Sequence, residues 1–153
     1  MSPEQRLADL GLSIPDVARP VAAYVPAVRS GSLVYTSGQL PLRAGELVAT
    51  GKVGAEVDVE TARDCAQACA LNALAAVRAE VGELSAVRRV VKVVGFVASA
   101  PGFTGQPQVM NGASELLAQA FGDDSGQHAR SAVGVAVLPM DAPVEVELVV
   151  EVG

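Results

Sequence analysis

The chain has 153 residues, 50% of them hydrophobic, and carries a formal net charge of -6. That length suits one domain with a sizeable core, and the acidic balance counts against a phosphate backbone as partner, because nucleic-acid binding normally needs a basic stripe. Nor does any stretch approach the ~20 apolar residues of a membrane-spanning helix.

Residues 1–20 place Leu7, Leu10, Leu12 and Ile14 at helix-like spacing, closed by Gly11 and Pro15, and predict a short helical arm. The start Met1-Ser2-Pro3-Glu4-Gln5-Arg6 lacks the basic stretch and following apolar run of a secretion signal, so a cytoplasmic protein is expected. Residues 21–28 and 33–36 flank Arg29-Ser30-Gly31-Ser32 and predict two strands of a hairpin. Residues 41–57 hold Gly45, Gly51 and Gly54 without sustained periodicity, which predicts a loop with at most one short strand.

Asp58 is placed to cap a helix running to about Val81, with Ala62, Cys65, Ala66, Cys69, Ala73, Leu74 and Val77 on its apolar face and Gly82 past its end. The two cysteines lie four apart with no second Cys/His pair. They are neither a redox motif nor half a zinc site, and read as small core residues.

The Val-rich run 87–98 is too apolar for an edge strand and predicts a central one. Ser99-Ala100-Pro101-Gly102 breaks the chain, and Pro107 starts a second helix whose apolar positions Val109, Ala113, Leu116, Leu117, Ala120 and Phe121 end at Gly122. In the last third, Val133, Val135 and Val137 share one strand face and leave Arg130, Ala132, Gly134 and Ala136 on the other. Val144, Val146, Leu148, Val150 and Val152 likewise oppose Glu145, Glu147, Val149 and Glu151. The valine faces are expected to meet the helices, leaving a polar face opposite. The order is β-β-α-β-α-β-β, one α+β domain over residues 1–153 with two helices on one face of a mostly antiparallel sheet.

The core must be built mainly from Val, Ala and Leu, since aromatics are 3% of the chain and Trp is absent. So apolar a composition implies surface buried against further copies of the chain, and a homo-oligomer is expected.

Arg130 is the only Lys or Arg after Lys92. A lone guanidinium at a strand start suits a two-pronged grip on a small carboxylate. It equally suits a structural ion pair, for instance with Glu147 across a subunit boundary. His128, the only histidine, stands beside it as an interface or ligand-contacting residue. If residues 138–143 made a tight hairpin, Arg130 and Glu145 would lie roughly 20 Å apart. Either another strand lies between them or a second subunit supplies one partner.

The runs Tyr24-Val25-Pro26, Thr36-Ser37-Gly38-Gln39-Leu40-Pro41, Ala129-Arg130-Ser131, Leu138-Pro139 and Val144-Glu145-Val146-Glu147, in this order around two helices, resemble the RidA/YjgF family of reactive-intermediate deaminases, also labelled L-PSP endoribonucleases. The resemblance covers about residue 20 to the C-terminus. It implies a chorismate-mutase-like fold and a homotrimer with sites in the clefts between subunits. It also implies that strand 87–98 lies between two C-terminal strands running in the same direction, so that Arg130 and Glu145 start near one end of the sheet.

Carried over residue by residue, the resemblance makes Arg130 the carboxylate clamp and Glu145 the water-positioning glutamate. Tyr24, Ser37, Gly38 and Asn111 line the pocket, and Ala132 stands where the family has a cysteine. That exchange, the long 43–57 loop and the extra residues before His128 mark a divergent subgroup. The activity implied is hydrolysis of 2-imino acids such as 2-iminobutanoate and 2-iminopropanoate to 2-keto acids and ammonia, with no metal or cofactor. The expected partners are a small carboxylate-bearing metabolite and further copies of the chain, with neither nucleic acid nor membrane. A non-catalytic sensor of 2-keto acids is the alternative, and the acidic charge counts against the family's endoribonuclease label.

Overall fold

A computed structural model describes residues 1–20 and 23–153. The first helix, α1 (Pro3–Asp9), opens on a reciprocal cap: Ser2 N donates to Gln5 Oε1 at 2.8 Å and Gln5 N to Ser2 Oγ at 3.2 Å. Past the helix, Gly11 turns the chain at φ 75°. The arm is thus helical over seven residues only, and is pinned by buried Leu7 and by Leu84 N donating to Glu4 Oε1 at 3.0 Å.

The first hairpin joins β1 (Ala27–Ser30) to β2 (Leu33–Thr36). Its first strand begins later than expected: Val21 and Ala22 lie outside the described residues, and pairing starts only after Pro26, which has no N–H to give a ladder. The expected loop contains a small hairpin of β3 (Leu42–Arg43) and β4 (Glu46–Leu47). The long helix α2 (Val59–Val81) starts as its sequence dictates, with Thr61 N donating to Asp58 Oδ1 at 2.8 Å, and ends at Gly82, φ 91°. Then follow β5 (Val87–Ala98), α3 (Gln106–Ser125), β6 (Ala129–Val135) and β7 (Val144–Val152). Inside α3, Gly122 leaves helical geometry at φ 86°, ψ 173°, where the apolar periodicity ends.

The main sheet has the order β1-β2-β7-β5-β6, with β5 and β6 parallel and every other neighbouring pair antiparallel. Helices α2 and α3 cover one face, and α1 packs on α3. Between them lies a core of Val, Ala and Leu as composition required. Leu74, Leu116, Leu117 and Leu148 are at most 1% exposed, each contributing about 2–3 kcal/mol of burial. Cys65 and Cys69 are buried in this core. Burial, with Asp64 nearby, pushes the Cys65 thiol up to about 11, and Cys69 is raised well above its ordinary value chiefly by burial. Both stay protonated and inert at neutral pH.

Two expectations about the C-terminal strands are corrected. Interior β5 does separate β6 from β7, but the α3 crossover makes β6 parallel to β5, while β7 runs against β5. The strands flanking β5 therefore run in opposite directions. Val135 pairs with Ala98 and Val144 with Val97, so β6 ends where β7 begins, joined by a 3-10 turn at Pro139–Asp141.

The faces of β6 are also the reverse of expectation. Ala132 and Gly95 are cross-strand partners, and Gly95 pairs with buried Val146, so Arg130 and Ala132 face α3. That face must be small. A Cβ on Gly95 would strike the Met110 side chain, and one on Gly134 would lie 2.8 Å from Gln106 Nε2. Val133 instead stands 45% exposed on the open face, level with Phe96 and Glu145. In β7 the faces fall as expected, with burial alternating strictly along the strand.

Candidate active site

Arg130 sits on the outer strand of the sheet, β6, with its guanidinium turned toward the first turns of α3. Nη1 donates to Asn111 Oδ1 at 2.8 Å and to Ser114 Oγ at 3.2 Å, and Nη2 donates to the Pro107 carbonyl at 3.3 Å. Asn111 and Ser114 are three apart on the helix and so share a face. All three acceptors are neutral. Among the described residues the ion pairs are Arg43–Asp64 at 3.2 Å and Arg63–Glu115 at 2.7 Å, neither involving Arg130. Of the five guanidinium N–H groups, Nε–H and one Nη2–H therefore remain without a protein acceptor among the described residues. They are a pair of donors suited to one carboxylate.

The cradle is held by contact between the two long helices. Arg63 of α2 donates to the Gln108 carbonyl at 2.9 Å and pairs with Glu115, both on α3. A Cβ at Gly112 would run into the Arg63 carbonyl oxygen. Gly112 thus serves close packing, and that packing fixes its neighbour Asn111.

Glu145 belongs to a second cluster. From Tyr35↔Val149 to Gln39↔Val146 the pairing advances four residues on one side and three on the other. One residue too many is accommodated between Thr36 and Gly38, as in a β-bulge. The result lays Gly38 directly on the Glu145 side chain: a Cβ there would fall 2.5 Å from Oε2. Ser37 ties this turn to the segment before β1, its Oγ donating to the Val25 carbonyl at 2.6 Å and its N to Pro26 O at 2.8 Å. Tyr24, Pro26, Gly38, Gln39 and Leu40 then line one pocket together with Arg19 of the arm and Met140. Burial, and after it the neighbouring Glu147, raises the Glu145 carboxyl above the usual range.

The residues singled out in the sequence thus form two groups, Arg130 with Asn111 and Ala132, and Glu145 with Tyr24, Ser37 and Gly38. Arg130 is level with Val93 and hence Leu148, three residues along β7 from Glu145 and two strands across. At ~3.4 Å per residue and ~4.8 Å per strand that is about 14 Å, and the two side chains leave opposite faces of the sheet. Ser114, Arg19, Gln39 and Met140 were missed by sequence reasoning. Only Ser114 carried a usable signal, its spacing of three from Asn111. No group of three or more His, Cys, Asp or Glu residues able to hold a metal occurs among the described residues, and no described helix is long and apolar enough to cross a membrane.

Comparison with known proteins bears on this arrangement. The family model described as YjgF/chorismate_mutase-like, with endoribonuclease as its provisional activity label, matches residues 4–152. Protein TCP17 of Trypanosoma cruzi is 46% identical over 145 residues, covering 95% of this chain and 91% of that protein. The 2-iminobutanoate/2-iminopropanoate deaminase of Dermatophagoides farinae is 35% identical over 141 residues, covering 91% and 93%. The crystal structure of Atu1372 from Agrobacterium tumefaciens, a protein of unknown function, superposes with a TM-score of 0.90 at 48% identity, covering 98% of this chain and 91% of that one.

Proposed function

The chain belongs to the YjgF/chorismate-mutase-like (RidA) family, and on that premise we propose that it hydrolyses 2-imino acids to 2-keto acids and ammonia in clefts between the subunits of a homotrimer. The observation that carries this reading is the Arg130 guanidinium, held by neutral acceptors and unpaired among the described residues, with a two-donor edge to spare. A cation so arranged is a site for a carboxylate.

The distance between Arg130 and Glu145 supports a shared site. A three- or four-carbon imino acid is far too small to span about 14 Å around the edge of one sheet, so a second copy supplies one of the two groups. The open face supports such a partner. Val28, Tyr35 and Val133 lie exposed there, and Phe96 and Glu145 share it. An apolar face of that kind is normally covered by another chain.

In the cleft, Arg130 grips the substrate carboxylate and fixes C2, which removes most of the orientational freedom from the reaction. Glu145, in its ionised form, takes a proton from water as the water oxygen bonds to C2 and the C=N π electrons move to nitrogen. The protonated Glu145 returns that proton to the amine of the tetrahedral intermediate. The C–N bond then breaks, its electron pair leaving with ammonia, and the new hydroxyl passes its proton to that ammonia, which gives the keto group and ammonium. Water and iminium are consumed, keto acid and ammonium are formed, and Glu145 ends as it began. An iminium is already a strong electrophile, so positioning and one proton shuttle suffice, and Ala132 in place of a thiol is no obstacle.

The test is to generate 2-iminopropanoate and 2-iminobutanoate in situ with semicarbazide as competing trap. Wild type should divert the imine to free keto acid, and Arg130→Ala should not. Unchanged trapping across several side chains, with keto acids still bound, would instead identify a sensor.

A further inference from the structure

The Arg130 clamp is itself held by a second layer of hydrogen bonds. His128 Nδ1 lies 2.7 Å from the Gly126 carbonyl and its Nε2 lies 2.9 Å from Ser114 Oγ. A carbonyl oxygen only accepts, so Nδ1 carries a proton. In the neutral ring Nε2 is then an acceptor and takes the Ser114 hydroxyl proton. With its own proton committed to His128, Ser114 Oγ offers a lone pair to Arg130 Nη1 at 3.2 Å. Every donor in this chain points away from the ligand: Arg130 to Ser114, Ser114 to His128, His128 to Gly126.

The order is built into the backbone. Gly122 breaks α3, and Gly126 packs so closely on the preceding turn that a Cβ there would fall 2.7 Å from Ala118 Cα and from the Gly122 carbonyl oxygen. This short turn before β6 brings the Gly126 carbonyl to Nδ1 of the ring. Asn111 Oδ1 also accepts from Nη1, as it must, since arginine only donates. Nη1 is thereby committed to protein, and with Nη2 also donating to the Pro107 carbonyl, Nε–H and one Nη2–H are left for the ligand.

We propose that Ser114 and His128 are positioning residues, a proton-ordered chain anchored on Gly126 that fixes which edge of Arg130 meets the substrate carboxylate. The inference rests on the deaminase reading for its substrate. Its geometry stands apart from that reading, and so does its first test.

His128 is the only histidine, so ¹⁵N spectra of untagged protein report this ring alone. A neutral ring protonated at Nδ1, with the Nε2 resonance shifted in Ser114→Ala, is expected. A ring protonated at Nε2, or one that ignores Ser114→Ala, overturns the chain whatever the enzyme does. The functional arm compares Ser114→Ala with Ser114→Thr, which keeps the hydroxyl. Ser114→Ala should raise KM for the imine, and Kd for pyruvate, by about 10-fold with kcat within about 2-fold, because the clamp binds ground and transition states alike. Ser114→Thr should restore both constants. Equal values in all three proteins, or equal damage from Thr and Ala, would contradict the positioning role. If the expected tautomer is found in a protein that turns over no imine, the chain stands and the reaction assigned to the cleft falls.

Discussion

Gly38 lies against the carboxylate of Glu145, so close that a Cβ would come within 2.5 Å of Oε2. Its backbone is not left-handed, so alanine is tolerated locally, and the atom in the way is the movable end of a side chain. Gly38→Ala should therefore fold with little change in Tm while displacing the carboxylate from its working position. A fall in kcat/KM of about 10-fold or more is expected, since errors of about 1 Å at reacting groups are costly. Unchanged turnover would mean that Glu145 does not act from this position.

In the proposed reaction Glu145 acts as a base only when ionised, and its carboxyl is raised first by burial and then by Glu147. Activity should thus fall as pH drops through that raised value. Glu147→Gln removes the negative neighbour, stabilises the Glu145 carboxylate and should move the acid limb of the kcat/KM profile to lower pH. An acid limb that stays put or moves upward would assign it to another group.

Lysine at position 130 keeps the charge and loses the fork. Arg130→Lys cannot bond Asn111, Ser114 and Pro107 together and still offer two parallel donors. KM should rise by about 10-fold or more, with the affinity for 2-keto acids measured by calorimetry falling in step. Retention of both would show that charge alone suffices.

Gly112 is where α3 meets the backbone of α2 at Arg63. Gly112→Ala has no flexible atom to push aside and should lower stability by about 1–3 kcal/mol, read from denaturant midpoints at constant m-value. A neutral result would mean that the helices separate freely there.

How far the sequence carried these conclusions varies with the kind of contact each residue makes. Local chemistry was legible: Asp58 and Gly82 bound α2, Gly122 breaks α3, and the period-two pattern of β7 appears unaltered in its burial. The face of β6 was not. Its valines matched the pattern of a buried face, yet the side toward the helices is occupied by Met110 and Gln106, which admit only Gly95, Ala132 and Gly134 beneath them. That preference is tertiary and leaves no mark on the strand itself. The directions of β6 and β7 were missed for a similar reason, because they depend on how each strand pairs with β5. At the site, Arg130 stood out as a lone cation, whereas Glu145 shared its strand face with Glu147 and Glu151 and was singled out only by the family resemblance. Their assignment to opposite faces followed only from the register.

The most direct measurement mixes two variants that the proposal expects to be inactive on their own. Arg130→Ala and Glu145→Gln are each purified, co-assembled at equal ratio by unfolding and refolding together, and assayed for imine hydrolysis. If one copy supplies Arg130 and its neighbour Glu145, random assortment leaves about one site in four with both groups intact, and about a quarter of wild-type activity should return. Mixed assemblies that form and remain inactive would contradict a site shared between subunits.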